Sequence, residues 1–548
     1  MILLAASVAL ALFEAGVVLA ASASLTRRLW AGRDYLAFAY GIGGVGGASF
    51  IVFVGYWVHP IVGAVLSVAV LGGSMLYLLI SRAWRSISLA VPVVLVVGGV
   101  LLLYIAVLCL WSPTAAGMAI TTTHLSDLGL PSDNVIPFLF SDRLADGLST
   151  HLLIDDWNGS DRPPLQSGFL LLGRVLVQPL GASAAAAAGA GIVAQSLWMP
   201  ALFAVLRASG VTRLAGWLTV VFVALSGTAF VNTVYTWPKL LSAALVLSAC
   251  ALLIDAVRKP QFFRVDFVVA VVLSVLGMLA HGAAAFAAPL LIGLGIAAYR
   301  NQRRAEVART TLAAAVAGTL AYLPWLLYQR LADSPGDRLV KWHLAGVVPV
   351  DGRSIMQALA DSYRALSPGE WLSGRVANAE AIVHVNILEG LGSAFARRSA
   401  EFFTTTTALG ISLVATIIIL VVLLVRGLRR IPLRTADRSL LLVIAVCLAC
   451  ILFWALLMFT PGSTLVHQGS HVWVLLLLAA PFAWTLRRHR AIALALLAVQ
   501  AVLFGLVYLP EPAAGTLNPL AVVTGVIGVA AMVAALLLSR PIRRRPCR

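Results

Sequence analysis

Carboxylates crowd one stretch of this chain: Asp127, Asp133, Asp142, Asp146, Asp155, Asp156 and Asp161, seven of its 22 acidic residues. The stretch is not a simple hydrophilic spacer. One run reads Asp133-Asn134-Val135-Ile136-Pro137, and another reads Asp155-Asp156-Trp157-Asn158, followed by Ser160-Asp161-Arg162-Pro163-Pro164. An indole, paired prolines and apolar anchors such as Ile136 and Phe138 accompany the acids, as in a loop that docks. Carboxylates held this way can take a proton from an incoming hydroxyl or hold a divalent cation such as Mg2+ or Mn2+.

Three later segments carry groups suited to an anion. Trp237-Pro238-Lys239 sets a cation beside an indole, although a lysine at a membrane boundary also snorkels to headgroups. His281 marks the turn of a hairpin otherwise made of Ala, Gly and Leu, a place where histidine is more often interfacial than reactive. His467-Gln468-Gly469-Ser470-His471 is a compact polar turn between strongly apolar stretches. Each signal is weak alone, so their common location matters more than any one of them.

That location follows from the elements that carry them. The chain is 61% hydrophobic and 11% charged, with a mean hydropathy of +0.97, which no soluble surface of this size tolerates. Apolar runs long enough to cross a bilayer as helices recur from end to end, as in Val91–Trp111, Thr310–Leu327, Thr406–Val425 and Leu440–Leu457. They lack the alternation of β-barrel strands. The fold class is therefore an all-α polytopic membrane protein.

Basic tracts orient the helices. Arg27, Arg28 and Arg33, then Arg82 and Arg85, then Arg300, Arg303, Arg304 and Arg309 mark cytoplasmic loops by the positive-inside rule. The net charge of +17 thus reflects topology and excludes nucleic acid as a partner. Threading gives about 15 spans with the N-terminus outside and the C-terminus inside. It places 27 of the 39 basic residues inside, and the two sides carry about +22 and −4. The acidic loop, Lys239, His281 and His467 then share the outer face. Residues 1–87 form a three-helix module, and 88–330 a core with an acidic outer loop (112–165) and an interfacial helix (169–180). Residues 331–404 form an outer segment and 405–548 the C-terminal helices.

Met1–Ala23 is apolar with its positive charge after it, the reverse of a cleaved signal peptide, so it is an uncleaved first helix. Cys109, Cys250, Cys447, Cys450 and Cys547 show no zinc or disulfide spacing and read as packing residues. Glu14 is the one acid within a span, a thin basis for the ion-coupled sites that carriers place at the midplane.

Taken together, the outward helix leading into Asp133-Asn134-Val135-Ile136-Pro137, the Ser160-Asp161-Arg162-Pro163-Pro164 run, Trp237-Pro238-Lys239-Leu240 and His467-Gln468-Gly469-Ser470 resemble the GT-C superfamily of integral-membrane glycosyltransferases. The nearest likeness is to bacterial members that use polyprenyl-phosphate sugars, and it covers residues 88–480 in outline. The resemblance implies transfer of a sugar from a polyprenyl-phosphate donor to a cell-envelope glycan or lipid acceptor at the outer face of a bacterial inner membrane. It implies Asp133 as base, with Asp127 second. Asp156 and Asp161 become acceptor or metal contacts, Arg162, Lys239 and His281 phosphate contacts beside Trp237, and His467 closes the far side. Three helices precede the one leading into the acidic loop, which departs from the family pattern, as does the late position of Asp155-Asp156. Two alternatives stand: an O-antigen-type polymerase or ligase resting on Arg338, Arg353 and His384, and a flippase or transporter of lipid-linked intermediates.

Overall fold

A computed structural model describes the chain except residues 83–89, 112–131, 179–182, 301, 384–417, 433–434, 461–471, 510–517 and 540–548. Among the described residues, secondary structure is helical apart from one isolated bridge between Ile154 and Trp157. Twelve helices are long and apolar enough to cross a bilayer, so the protein is a multi-pass membrane protein. They coincide with 12 of the 15 expected spans. The other three are a bent pair (Arg213–Ala224 and Gly227–Val234), the 17-residue Val472–Arg488, and Ile418–Leu428, whose expected first half falls outside the described residues.

Two helices form the centre. Ala184–Ala208 and Lys239–Arg258 are buried along nearly their whole length, while outer helices such as Pro60–Ser81 and Arg304–Leu331 turn most of their apolar surface outward. That exposure is expected where lipid is the solvent. The bent pair breaks by 73° at Leu225–Ser226, and the Ser226 side chain accepts a hydrogen bond from Ala229 N to start the second piece. The helix expected at 169–180 is Leu165–Val177. Its first nine residues are buried, so it packs within the protein, and residues 179 and 180 fall outside the described set.

Ionic and aromatic clusters fix opposite ends of the bundle. Arg33, just past the first helix, lies between Asp255 (2.7 Å) and Asp266, and all three are at most 1% exposed. Tyr35 donates to Asp255 and Tyr40 to Asp266 (2.7 Å). Removing one partner of a buried ion cluster leaves uncompensated charge, so Arg33→Met should cost about 3–5 kcal/mol. Arg33→Lys should recover only part of it, because an ammonium lacks the fork that reaches two carboxylates. Unfolding in mixed micelles measures both. At the other end Phe53, Phe140, Trp325 and Tyr328 interlock with ring centroids 5.3–6.0 Å apart, joining the Ile136–Ala145 helix to two spans. Asp255 lies 16 residues along the helix that begins at Lys239, so the Arg33 cluster is about 24 Å from that lysine.

Candidate functional site

Prolines place three charged residues at helix starts. Pro137 sits in the first turn of Ile136–Ala145, four residues after Asp133. Pro163-Pro164 precede Leu165–Val177 and hold Arg162 extended (φ −122°, ψ 130°), as a residue before proline must be. Pro238 caps Lys239–Arg258, so Lys239 opens that helix.

These starts converge. Asp133 Oδ2 accepts from Arg162 (2.5 Å), and Oδ1 accepts from Trp237 Nε1 (2.7 Å). Lys239 Nζ lies over the Trp237 ring, 3.1 Å from its centroid. Lys239 is 2% exposed and, among the described residues, its Nζ has no hydrogen-bond partner, nor has the buried Nε of Arg162. Two cations thus flank one carboxylate, and the donors on both cations are incompletely used. Buried polar groups are normally satisfied, so two unsatisfied donors beside one carboxylate mark a candidate site for an anion.

The turn between the bent pair and Lys239 is pinned from both sides. Thr236 has φ +61°, a left-handed conformation that costs a β-branched residue energy and persists only where neighbours enforce it. Asn134 Nδ2 donates to Tyr235 O (3.1 Å) and Gln166 Nε2 to Thr236 O (2.6 Å). Gln195 Nε2 in turn donates to Gln166 Oε1, and Gln195 Oε1 accepts from Leu241 N, both at 3.0 Å. The residue after Asp133 and a residue four beyond Arg162 therefore hold the strand of chain that carries Trp237 and Lys239.

A second layer covers this group. Arg162 and Arg338 both approach the Trp157 ring, at 4.7 and 4.0 Å. Arg338 pairs with Asp156 (2.9 Å) and holds that exposed carboxyl below its ordinary range. Asp161 accepts from Asn158 N (2.9 Å) in a capping box, and burial pushes its carboxyl up. Asp156 therefore sits at the rim and Asp161 braces the loop. His281 Nδ1 accepts from Ala283 N (3.2 Å) at the start of its own turn, while its carbonyl lies 3.5 Å from Ser242 Oγ, three residues on from Lys239. Asp127 and His467 lie outside the described residues. Among the described residues no group of three or more His, Cys, Asp or Glu side chains is placed to hold a metal ion.

Two partners emerge only in three dimensions. Asp333 is buried and accepts from Ser160 N (2.9 Å) and His151 Nδ1 (3.0 Å), clamping the acidic loop to the end of Arg304–Leu331. His343, in the Arg338–Ala345 helix, stacks on Trp342, and its Nδ1 is shielded from solvent. Burial, then the charges of Arg162 and Lys239, bring its imidazole down to about 4. The unfolded chain protonates this residue near its ordinary 6.5, so between about 6.5 and 4 the unfolded state binds more protons. Stability should fall as pH drops through that window, and His343→Gln should flatten the slope; melting temperatures of both proteins against pH measure it.

Comparison of the chain with known protein families, characterised proteins and solved structures finds no match.

Proposed function

We propose that the protein is a membrane glycosyltransferase that moves a sugar from a polyprenyl-phosphate donor to a glycan or lipid acceptor. The reaction takes place at the outer face of a bacterial inner membrane. The observation that carries this reading is the meeting of Asp133, Arg162 and Lys239 at one end of the bundle, with the buried Lys239 ammonium lacking a hydrogen-bond partner among the described residues. A lipid-linked phosphate brings the acceptor oxygens that those cations lack, and a carboxylate beside it serves as base.

On this reading Arg162 exchanges partners. Arg162 holds Asp133 Oδ2; the donor phosphate draws it away and leaves that oxygen able to accept a proton. The acceptor hydroxyl gives its proton to Asp133 as its oxygen bonds to the anomeric carbon. The bond from that carbon to the phosphate oxygen breaks, and the polyprenyl phosphate leaves as an anion held by Arg162 and Lys239. Trp237 fixes the other carboxylate oxygen throughout.

Donor binding tests the placement of the phosphate. Full-length protein in nanodiscs should bind a polyprenyl-phosphate sugar, with free polyprenyl phosphate competing and Asp133→Asn retaining binding. Equal affinity in Arg162→Gln and wild type would remove the phosphate from this site.

A further inference from the structure

Glu14 takes no part in the proposed reaction, yet it is the one acid inside the first span. It is 6% exposed and, among the described residues, its Oε1 has no hydrogen-bond partner. It faces a cavity of about 40 Å3, room for a few water molecules, walled by Ser7, Phe138, Ser141, Gly173 and Arg174. Gly173 makes that approach possible: a Cβ there would lie 2.2 Å from Glu14 Oε2. Arg174 contributes a second incompletely used group, a buried Nε without a partner among the described residues. Its other nitrogens pair with Asp142 (2.5 Å) and Asp146 (3.1 Å), whose side chains are 39% and 42% exposed.

We infer that this cavity is a hydrated proton-binding site, with Glu14 as the acid and Arg174 at its mouth. An intramembrane carboxyl persists only if it is paired, protonated or hydrated. Of the helices packed on the first span, Ala37–Val58, Pro60–Ser81, Ala90–Trp111 and Ser183–Ser196 bring no charged residue to it, and Arg27–Trp30 carries Arg27 and Arg28 beyond its far end, about 20 Å along the helix from Glu14. Arg174 is the one cation lining the cavity, and Asp142 and Asp146 already occupy it from the neighbouring helix and its end. Water in the cavity satisfies both Glu14 Oε1 and Arg174 Nε, and carries a proton between the carboxyl and the exposed mouth. The Ile136–Ala145 and Leu165–Val177 helices, which follow Asp133 and Arg162, form two of its walls.

The site predicts an infrared signature independent of any transfer activity. Full-length protein in nanodiscs should show a protonated-carboxyl C=O band that is lost in Glu14→Gln, shifts in D2O and disappears as pH rises. Arg174→Gln should move that disappearance to higher pH, because removing a cation disfavours the carboxylate. Glu14→Asp should keep a titrating band at a changed frequency, which separates loss of the group from loss of the fold. A band that ignores D2O, or no such band at any pH, overturns the proposal: the first means a dry site, the second a permanently ionised pair with Arg174.

Discussion

If Asp133 is the base of the proposed transfer, Asp133→Asn should lower the rate of polyprenyl-phosphate release by about 100- to 10,000-fold, the usual effect of losing a general base. The asparagine carbonyl can still accept from Trp237 Nε1, so the side chain stays in place and the fold is kept. What is lost is the charge that holds Arg162 and the oxygen proposed to take the proton. Donor affinity should therefore hold or improve, because Arg162 no longer has to leave a carboxylate to reach the phosphate. Single-turnover rates with saturating donor separate the two effects. A loss of less than about tenfold would move the base elsewhere in the acidic loop.

Lys239→Met separates function from stability in the opposite sense. The lysine sits 2% exposed at the start of a central helix, with its ammonium against the Trp237 face and no hydrogen bond to offset its desolvation. Methionine fills similar volume without the charge, and replacing a buried charge by a fitting apolar side chain is commonly neutral or stabilising. The melting temperature should hold or rise. Donor affinity should fall about 10- to 100-fold, the worth of a hydrogen bond to a charged group. A residue kept at a cost in stability is the expected mark of a ligand site. Lower melting temperature with unchanged affinity would make Lys239 a packing residue.

Spans were legible because length and apolarity alone decide them in a bilayer, and 12 recur where expected. The 73° break at Leu225–Ser226 was not, since a bent and a straight apolar run have the same hydropathy; Ser226, a helix-capping residue inside the run, is the signal that marks it. In the site, Asp133, Arg162, Trp237 and Lys239 stood out by chemical type, and the prolines beside them explain why each falls at a helix start. The pairing itself joins residues 29 and 104 positions apart, which no local pattern encodes. The resemblance implies Asp161 as an acceptor or metal contact; the Asn three residues before it completes a capping box in which the Asp161 side chain accepts from Asn158 N. Asp333 and His343 carried no sequence signal, because their partners lie more than 100 residues away in the chain.

The account turns on whether this site breaks the bond between a sugar and a lipid phosphate. The direct measurement follows a labelled polyprenyl-phosphate sugar presented to the full-length protein in proteoliposomes with candidate acceptors, scoring both cleavage and movement across the bilayer. The account predicts acceptor-dependent release of polyprenyl phosphate by the wild type, with Asp133→Asn inactive. Intact donor carried across the bilayer without cleavage, equally well by wild type and Asp133→Asn, would contradict it and make the protein a carrier.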